Sequence, residues 1–284
     1  FFGQAWGDLE HRTGWNVALQ VVARGSGDFD AKLFTGGFPG EGWNGVPPIR
    51  LSGVLSADGV ELRGDGYIVI VTDRYADLYY ENFLPLGQIA KIQRVSRTEG
   101  ALPPWGAKVL FNGYDTGHFV NGRISKYGDL MQGTEFKELF RDYTLHVEFM
   151  LPYMPYARGQ ERGNSGVYLQ SRYEVQILDS FCLEGENNEC GGLYKFRRPD
   201  FNMCYPPLTW QTYDIVFTSP KFADDGTKIQ NARITVYQNG IAVHHNVDLE
   251  RKTGGGAQEA PELLPIRLQD HRNPVRFRNI WIVA

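Results

Sequence analysis

The feature that most constrains this chain is a succession of short runs in which apolar and polar residues alternate. Residues 15–24 and 143–151 carry an apolar side chain at every second position, and Gly, Pro, Asn or Asp bound most such runs. Alternation of this kind predicts β-strands with one buried face. Asn239-Gly240 between two apolar runs predicts a hairpin with a type I′ turn. The chain is therefore expected to be all-β.

Composition narrows the possible partners. Of the 284 residues, 42% are hydrophobic, which is enough to bury a sizeable core. The net charge is −4 and no long Lys/Arg run occurs, so no nucleic-acid partner is expected. No run approaches the roughly 18–20 apolar residues that cross a bilayer, so no membrane span is expected. The chain begins at Phe1 rather than Met, which agrees with the removal of an N-terminal signal or other segment.

The strand pattern divides the chain into two domains. Residues 1–97 are predicted to form a small β domain of five or six strands, in which we find no motif that carries chemistry. Residues 98–105 contain two adjacent prolines, which favour an extended linker. Residues 106–284 have the strand spacing typical of an antiparallel sandwich or jelly roll. Residues 134–141 are the only helical candidate.

One predicted strand, residues 173–180, gathers polar groups on a single face. Its period of two places Glu174 and Gln176 together, opposite an apolar face. Asp179 is out of phase by one residue, and a β-bulge near Leu178 would return it to the polar face. A carboxylate, an amide and a second carboxylate in a row suit sugar binding or acid–base chemistry. The alternative is an ordinary exposed polar face.

A second polar group lies at residues 269–279, where a strand ends in a turn that contains His271. The next strand begins with alternating Arg276 and Arg278. The acid, amide and guanidinium groups near this histidine can tune its pKa or orient an oxygen-rich ligand. The same residues would also make an ion-paired strand edge, and both interpretations remain open.

The three cysteines, Cys182, Cys190 and Cys204, fall within one short stretch. In a secreted protein they allow one internal bridge and one free thiol. No C-x-x-C pair is present, which argues against a zinc site. Three unpaired thiols in a reducing compartment are the other alternative.

Several runs, taken in order, resemble the 3-keto-disaccharide hydrolase domain family. The matching runs are residues 109–113, 163–166, 173–180, 190–194, 210–214 and 268–281. The resemblance covers about residues 105–284 and implies a concanavalin-like jelly-roll sandwich, here preceded by the small β domain. It also implies a bacterial protein that is exported, periplasmic or extracellular. Arg272 and Cys182 depart from the family pattern, because glycine is usual at both places.

Export favours a disulfide, and the family-like context of Cys190 and Cys204 implies that these two pair. The implied activity is cleavage of glycosides already oxidised to a ketone at sugar carbon 3. An ordinary glycosidase needs two carboxylates about 5–5.5 Å or about 6.5–9.5 Å apart, and Gln176 cannot serve as a nucleophile. The ketone instead acidifies the hydrogen on carbon 2. One base, with donors that stabilise the enolate, then suffices to expel the glycosidic oxygen.

The expected catalytic residues are Glu174 or His271 as general base and Asp179 as orienter. Gln176 and Arg276 are expected to hold the sugar oxygens. A divalent cation held by carboxylate and imidazole is the alternative electrophile, and no other cofactor is expected.

Asn164, Tyr194 and Trp210 are further substrate-binding candidates, with a saccharide as the ligand. A non-catalytic carbohydrate-binding module is the main competing function, since one fold serves many functions. A structural or assembly protein is the third. The oligomeric state is not defined by the sequence.

Overall fold

The computed structural model describes residues 1–6 and 14–284, and it is an all-β protein as predicted. Among those residues the only helical element is a 3₁₀ turn at Gly159–Glu161. No described helix has the length and hydropathy needed to cross a membrane. The chain forms two compact units: Phe1–Arg94 with Pro155–Ala157, and Val95–Met154 with Arg158–Ala284.

The first unit is a closed antiparallel barrel in which eight strands follow one another in chain order. The strands are β1 Phe2–Trp6, β2 Gly14–Gly25, β3 Asp28–Thr35, β4 Ile49–Ser56, β5 Gly59–Gly64, β6 Tyr67–Val71, β7 Tyr75–Tyr80 and β8 Pro85–Ala90. β1 pairs with both β2 and β8 and so closes the ring. The prediction of five or six strands was too low. In β8, for example, the buried residues Leu86 and Ile89 are three apart, across an irregularity in the pairing with β7.

The second unit is an antiparallel sandwich of two sheets. Its strands are β9 Lys108–Phe111, β10 Phe119–Val120, β11 Leu130–Met131, β12 Thr134–Phe136, β13 Tyr143–Met150, β14 Ser165–Leu169, β15 Tyr173–Ile177, β16 Trp210–Thr218, β17 Lys221–Phe222, β18 Lys228–Gln230, β19 Ala232–Gln238, β20 Ile241–Leu249, β21 Arg267–Leu268 and β22 Arg276–Val283. The five-stranded sheet has the order β10-β12-β21-β14-β15. The seven-stranded sheet has the order β11-β22-β13-β16-β19-β20, with β9 beside β22.

The inner faces of the two sheets form one continuous core, which includes Phe149, Val175 and Tyr213. The predicted hairpin turn is present: Asn239 and Gly240 have φ of +55° and +79°, and both signs are those a type I′ turn requires. The helical candidate at residues 134–141 was wrong. Thr134–Phe136 instead forms strand β12, which pairs with β10 on one side and β21 on the other. The burial of alternate side chains in the sandwich outweighs the weak local preference of these residues for a helix.

The first half of the predicted linker, residues 98–101, is bonded to the sandwich, whereas Leu102 and Trp105 are exposed. Residues 95–101, called here the covering segment, lie on the outer face of the seven-stranded sheet. Ser96 Oγ is 2.7 Å from Thr212 Oγ1, and the Gly100 N–H donates to Glu148 Oε1 at 2.6 Å. These bonds satisfy polar groups that a free linker would leave to water.

Candidate functional site

The outer face of the five-stranded sheet carries a row of four polar side chains. The strand registers place Glu174 opposite Tyr168, Tyr168 opposite Arg267, and Arg267 opposite Glu135. Residues directly opposite each other in antiparallel strands are neighbours on the same face. The row therefore runs across β15, β14, β21 and β12.

A second row lies beside the first. Gln176 is opposite Gly166, and the Gln269 N–H donates to the Gly166 carbonyl. A Cβ at Gly166 would lie 2.3 Å from Oε1 of Glu174. Only glycine therefore leaves room for that carboxylate. The two rows together are called the polar face.

Glu174 is the most perturbed carboxyl group of the polar face. Its side chain is 1% exposed. Burial raises the pKa of Glu174 to about 7, although a hydrogen bond from Tyr168 and the charge of Arg267 oppose the increase. Nε2 of Gln269 donates to the Tyr168 hydroxyl at 3.3 Å. A carboxyl group with a pKa near neutrality can both accept and return a proton at physiological pH.

Four buried polar atoms of this face have no hydrogen-bond partner among residues 1–6 and 14–284. They are Oε2 of Glu174, Oε1 of Gln176, Oε1 of Gln269 and Nε of Arg267. Buried polar atoms are bonded in the great majority of cases, so each exception calls for an explanation. Three acceptors and one donor on adjacent residues match a ligand that carries several hydroxyl groups and an oxygen acceptor.

An open pocket adjoins these atoms. It has a volume of about 400 Å³, and Arg267 and Gln269 line it together with Glu135 and Asp270. On the other side, residues 254–256 lie closely over the Tyr168–Glu174 pair, since a Cβ at Gly255 would be 2.4 Å from the Tyr168 hydroxyl. The polar face thus has an open end at β12 and β21 and a covered end at Glu174.

Two of the predicted binding residues belong to the covered end. Oδ1 of Asn164 accepts a hydrogen bond from Nε2 of Gln176 at 3.1 Å. The Tyr194 N–H donates to the Glu174 carbonyl at 3.1 Å. The structure therefore brings Glu174, Gln176, Asn164 and Tyr194 together.

The turn that contains His271 is anchored beside this group. The Asn164 N–H donates to Oδ1 of Asn273 at 2.7 Å. His271 itself is half-buried. Within the described part of the chain, no hydrogen bond joins its imidazole to Glu174.

Asp179 does not lie in the predicted row. β15 ends at Ile177, and its pairing with β14 shows no register shift, so the strand contains no bulge. Asp179 instead forms an ion pair with Nε of Arg162 at 2.6 Å. Burial raises the pKa of Asp179, and Arg162 opposes that increase.

Arg276 and Trp210 lie on the other sheet, so neither meets Glu174. Arg276 is paired with Asp129 at 2.6 Å. The guanidinium of Arg278 lies 4.0 Å from the centroid of the Trp210 ring. Arg276 was predicted at the site because it follows His271 closely in sequence, but β22 belongs to the seven-stranded sheet.

The outer face of the seven-stranded sheet carries its own buried charged cluster, beneath the covering segment. Nδ1 of His146 is 2.6 Å from Oδ1 of Asp214, and Nε of Arg278 donates to Glu148 at 2.7 Å. Burial opposes ionisation of Glu148, but bonds from His146, Asn279, Arg278 and Gly100 lower its pKa to about 2. Because its charges are compensated, this cluster is suited to holding the covering segment in place.

Arg267, Tyr168, Glu135 and Gln269 are members of the site to which the sequence analysis gave no role. Arg267 alternates with the buried residues Ile266 and Leu268, which is a signal for the polar face. Tyr168 alternates in the same way with the buried residues Val167 and Leu169, but only the strand register places it next to Glu174.

Across residues 1–6 and 14–284, no group of three or more His, Cys, Asp or Glu side chains is arranged to hold a metal ion. A divalent cation held by one carboxylate and one imidazole stays a prediction, and no step is derived through a metal.

The three cysteines are buried, and none of them is in a disulfide. The thiols of Cys190 and Cys204 are hydrogen-bonded to each other, so the structure has two adjacent thiols where the family resemblance implied a disulfide. Cys190 Sγ is also 3.3 Å from the Tyr213 hydroxyl, and Cys204 Sγ donates to the Tyr205 carbonyl at 3.4 Å.

At Arg272 and Cys182, where the family usually has glycine, the backbone adopts a conformation that favours glycine. Arg272 has φ of +64° and Cys182 has φ of +69°. This left-handed region favours glycine, because a Cβ is crowded there. Both positions therefore retain a glycine conformation with another residue in place.

The fold is a jelly-roll sandwich with a polar face on one sheet, and the family to which it belongs supports a carbohydrate-active role. The chain belongs to the family of the 3-keto-alpha-glucoside-1,2-lyase-like domain, whose pattern matches residues 106–283. This confirms the resemblance seen in the sequence.

Solved structures that are similar to this chain come from Parabacteroides distasonis ATCC 8503. One protein, provisionally assigned as a glycosyl hydrolase, is 30% identical with a TM-score of 0.56, and the match covers 63% of this chain and 84% of that one. Another with the same assignment is 16% identical with a TM-score of 0.45, over 68% of this chain and 99% of that one. Among curated proteins, none is significantly similar to the chain.

Proposed function

We propose that this chain cleaves 3-keto-glycosides by base-catalysed elimination, with Glu174 as the general base. The observation that carries the proposal is the set of unpartnered polar atoms around a buried glutamate whose pKa is raised to about 7. Membership of a family named for 3-keto-glucoside lyase chemistry supports the choice of substrate class.

In the proposed reaction, Glu174 removes the proton from carbon 2, which the ketone at carbon 3 acidifies. The electron pair moves to the ketone oxygen as an enolate, and the proposal assigns the unpartnered Nε–H of Arg267 to hold that oxygen. Collapse of the enolate forms a double bond between carbons 1 and 2 and breaks the bond to the glycosidic oxygen. The departing oxygen takes the proton from Glu174, so the products are an enone and an alcohol. Water can then add to the enone.

The spacing of carboxylates on the polar face favours this route over ordinary displacement. Glu135, the other carboxylate in the row of Glu174, is three strands away. Three strand spacings amount to about 14 Å between backbones. This exceeds both the spacing of about 5–5.5 Å for retention and that of about 6.5–9.5 Å for inversion.

The test is incubation of the purified protein with 3-keto-trehalose and with a chromogenic 3-keto-glucoside, with the products identified by mass spectrometry. We expect release of the alcohol together with an enone or its hydrate, and no cleavage of trehalose itself. Deuterium at carbon 2 should slow turnover, because that bond breaks in the proposed step. Equal cleavage of trehalose would contradict the proposal, as would saccharide binding without turnover.

The assignment of the base is tested by Glu174→Gln, with Glu250→Gln on the exposed surface as the matched control. A general base contributes about 10²–10⁴-fold, so Glu174→Gln should lose at least about 100-fold in kcat while Glu250→Gln loses nothing. His271→Ala tests the competing base. If Glu174→Gln keeps full turnover and His271→Ala abolishes it, the role of base belongs to His271.

A further inference from the structure

The barrel of the first unit contains a pocket that the proposed reaction does not use. Its volume is about 220 Å³, and its lining includes Ala5, Trp15, Thr35 and Tyr67. Thr35 ends β3, while Tyr67 begins β6. In an antiparallel barrel those positions mark the same end, so the pocket lies at one mouth of the barrel. Eight-stranded barrels are wide enough to hold a single small ligand in this way.

Two aromatic side chains, Trp15 and Tyr67, line the pocket. Trp15 belongs to β2 and Tyr67 to β6, which are four strands apart in the ring of eight. They therefore stand on opposite walls. Aromatic rings prefer to stack on or meet the edge of another flat ring, so this arrangement favours a flat ligand between them.

The remaining lining is aliphatic apart from Thr35. Among the described residues, the hydroxyls of Thr35 and Tyr67 are not hydrogen-bonded to protein groups, whereas the Thr35 carbonyl accepts from Asn44. Two hydroxyls can orient one polar group of a ligand. They cannot satisfy the many hydroxyls of a sugar, because each buried unpaired group is costly.

We propose that the barrel binds a flat aromatic molecule that carries one hydroxyl group. An apolar cavity of about 150 Å³ is known to hold benzene, so this larger pocket accommodates a bicyclic ring of about ten non-hydrogen atoms. The ring lies between Trp15 and Tyr67, and its hydroxyl bonds to Thr35 or Tyr67.

The test is calorimetric titration of the full chain with 2-naphthol, and with glucose as the polar comparison. We expect a Kd on the order of 100 µM or tighter for 2-naphthol and no binding of glucose at the same concentrations. Thr35→Val and Tyr67→Phe remove the hydroxyls with little change of shape. The double variant should weaken binding about 10-fold, while Tyr75→Phe on the same barrel leaves it unchanged.

Ala5→Leu fills the pocket and should abolish binding while the circular dichroism spectrum stays native. If Ala5→Leu does not fold, the double variant decides the question. The proposal is overturned if 2-naphthol does not bind up to its solubility limit. It is also overturned if the double variant, or folded Ala5→Leu, binds with the wild-type Kd. None of these readouts depends on turnover, so they are independent of the function proposed for the sandwich.

Discussion

Glu148 and Glu174 are buried glutamates on the outer faces of the two sheets of one sandwich, and their surroundings differ sharply. Glu148 accepts from the Gly100 N–H at 2.6 Å, from Arg278 at 2.7 Å and from Asn279 at 2.9 Å. Oε2 of Glu174 has no hydrogen-bond partner in the part of the chain that the structure describes. The pKa of Glu148 is accordingly lowered to about 2, whereas that of Glu174 is raised to about 7.

The difference shows how the same residue type serves structure on one face and chemistry on the other. A buried charge that is fully paired fixes its neighbours, because removing one partner leaves another charge uncompensated. A buried carboxyl group without full compensation stays close to its titration point, which is what proton transfer requires. The predictions below test this contrast.

The largest expected effect on stability is that of Glu148→Gln. It should lower the free energy of unfolding at pH 7 by about 3 kcal/mol, because Arg278 and His146 lose a charged partner. Urea denaturation gives the value, with Glu250→Gln as the exposed control. Turnover per folded molecule should be unchanged. A loss below about 1 kcal/mol would mean that the cluster does not hold the covering segment.

Glu174→Gln should raise the free energy of unfolding, whereas Glu148→Gln lowers it. The folded pKa of Glu174 lies above its ordinary value of 4.5, so wild-type stability should fall as the pH rises from about 4.5 to about 7. Glutamine stays neutral at every pH, so the variant does not lose the stability that wild type loses when the buried carboxyl group ionises. The variant should therefore gain up to about 3 kcal/mol over wild type at pH 8 and little at pH 4.5. Parallel denaturation curves at the two pH values provide the measurement. If the variant and wild type differ in stability by the same amount at pH 8 and at pH 4.5, the pKa of Glu174 is not raised.

Gly166→Ala tests the space beneath the Glu174 carboxylate. The added Cβ would lie 2.3 Å from Oε1, so the carboxylate must move. A displacement of about 1 Å can cost about 100-fold in rate, and we expect a loss of that order in kcat with a native circular dichroism spectrum. Unchanged turnover would indicate that the position of the Glu174 carboxylate is not critical.

The smallest effect is expected at the turn beside the polar face. Arg272 is exposed and has φ of +64°. Arg272→Gly should raise the free energy of unfolding by about 1 kcal/mol, because glycine lacks the crowded Cβ. Arg272→Ala keeps the Cβ and should bring no such gain, so equal melting curves for the two variants would rule out backbone strain.

The sequence by itself determined the all-β class, the family, the Asn239-Gly240 turn and the shared face of Glu174 and Gln176. These depend on local rules, namely a period of two and the backbone angles of a turn. Only the tertiary structure decided which strands are neighbours. Strand register places Tyr168 and Arg267 beside Glu174, whereas sheet membership carries Arg276 to the opposite face. The pKa of Glu174 likewise depends on burial by residues far away in sequence, such as Gly255. Desolvation acts through space rather than along the chain, and for that reason no local pattern could reveal it.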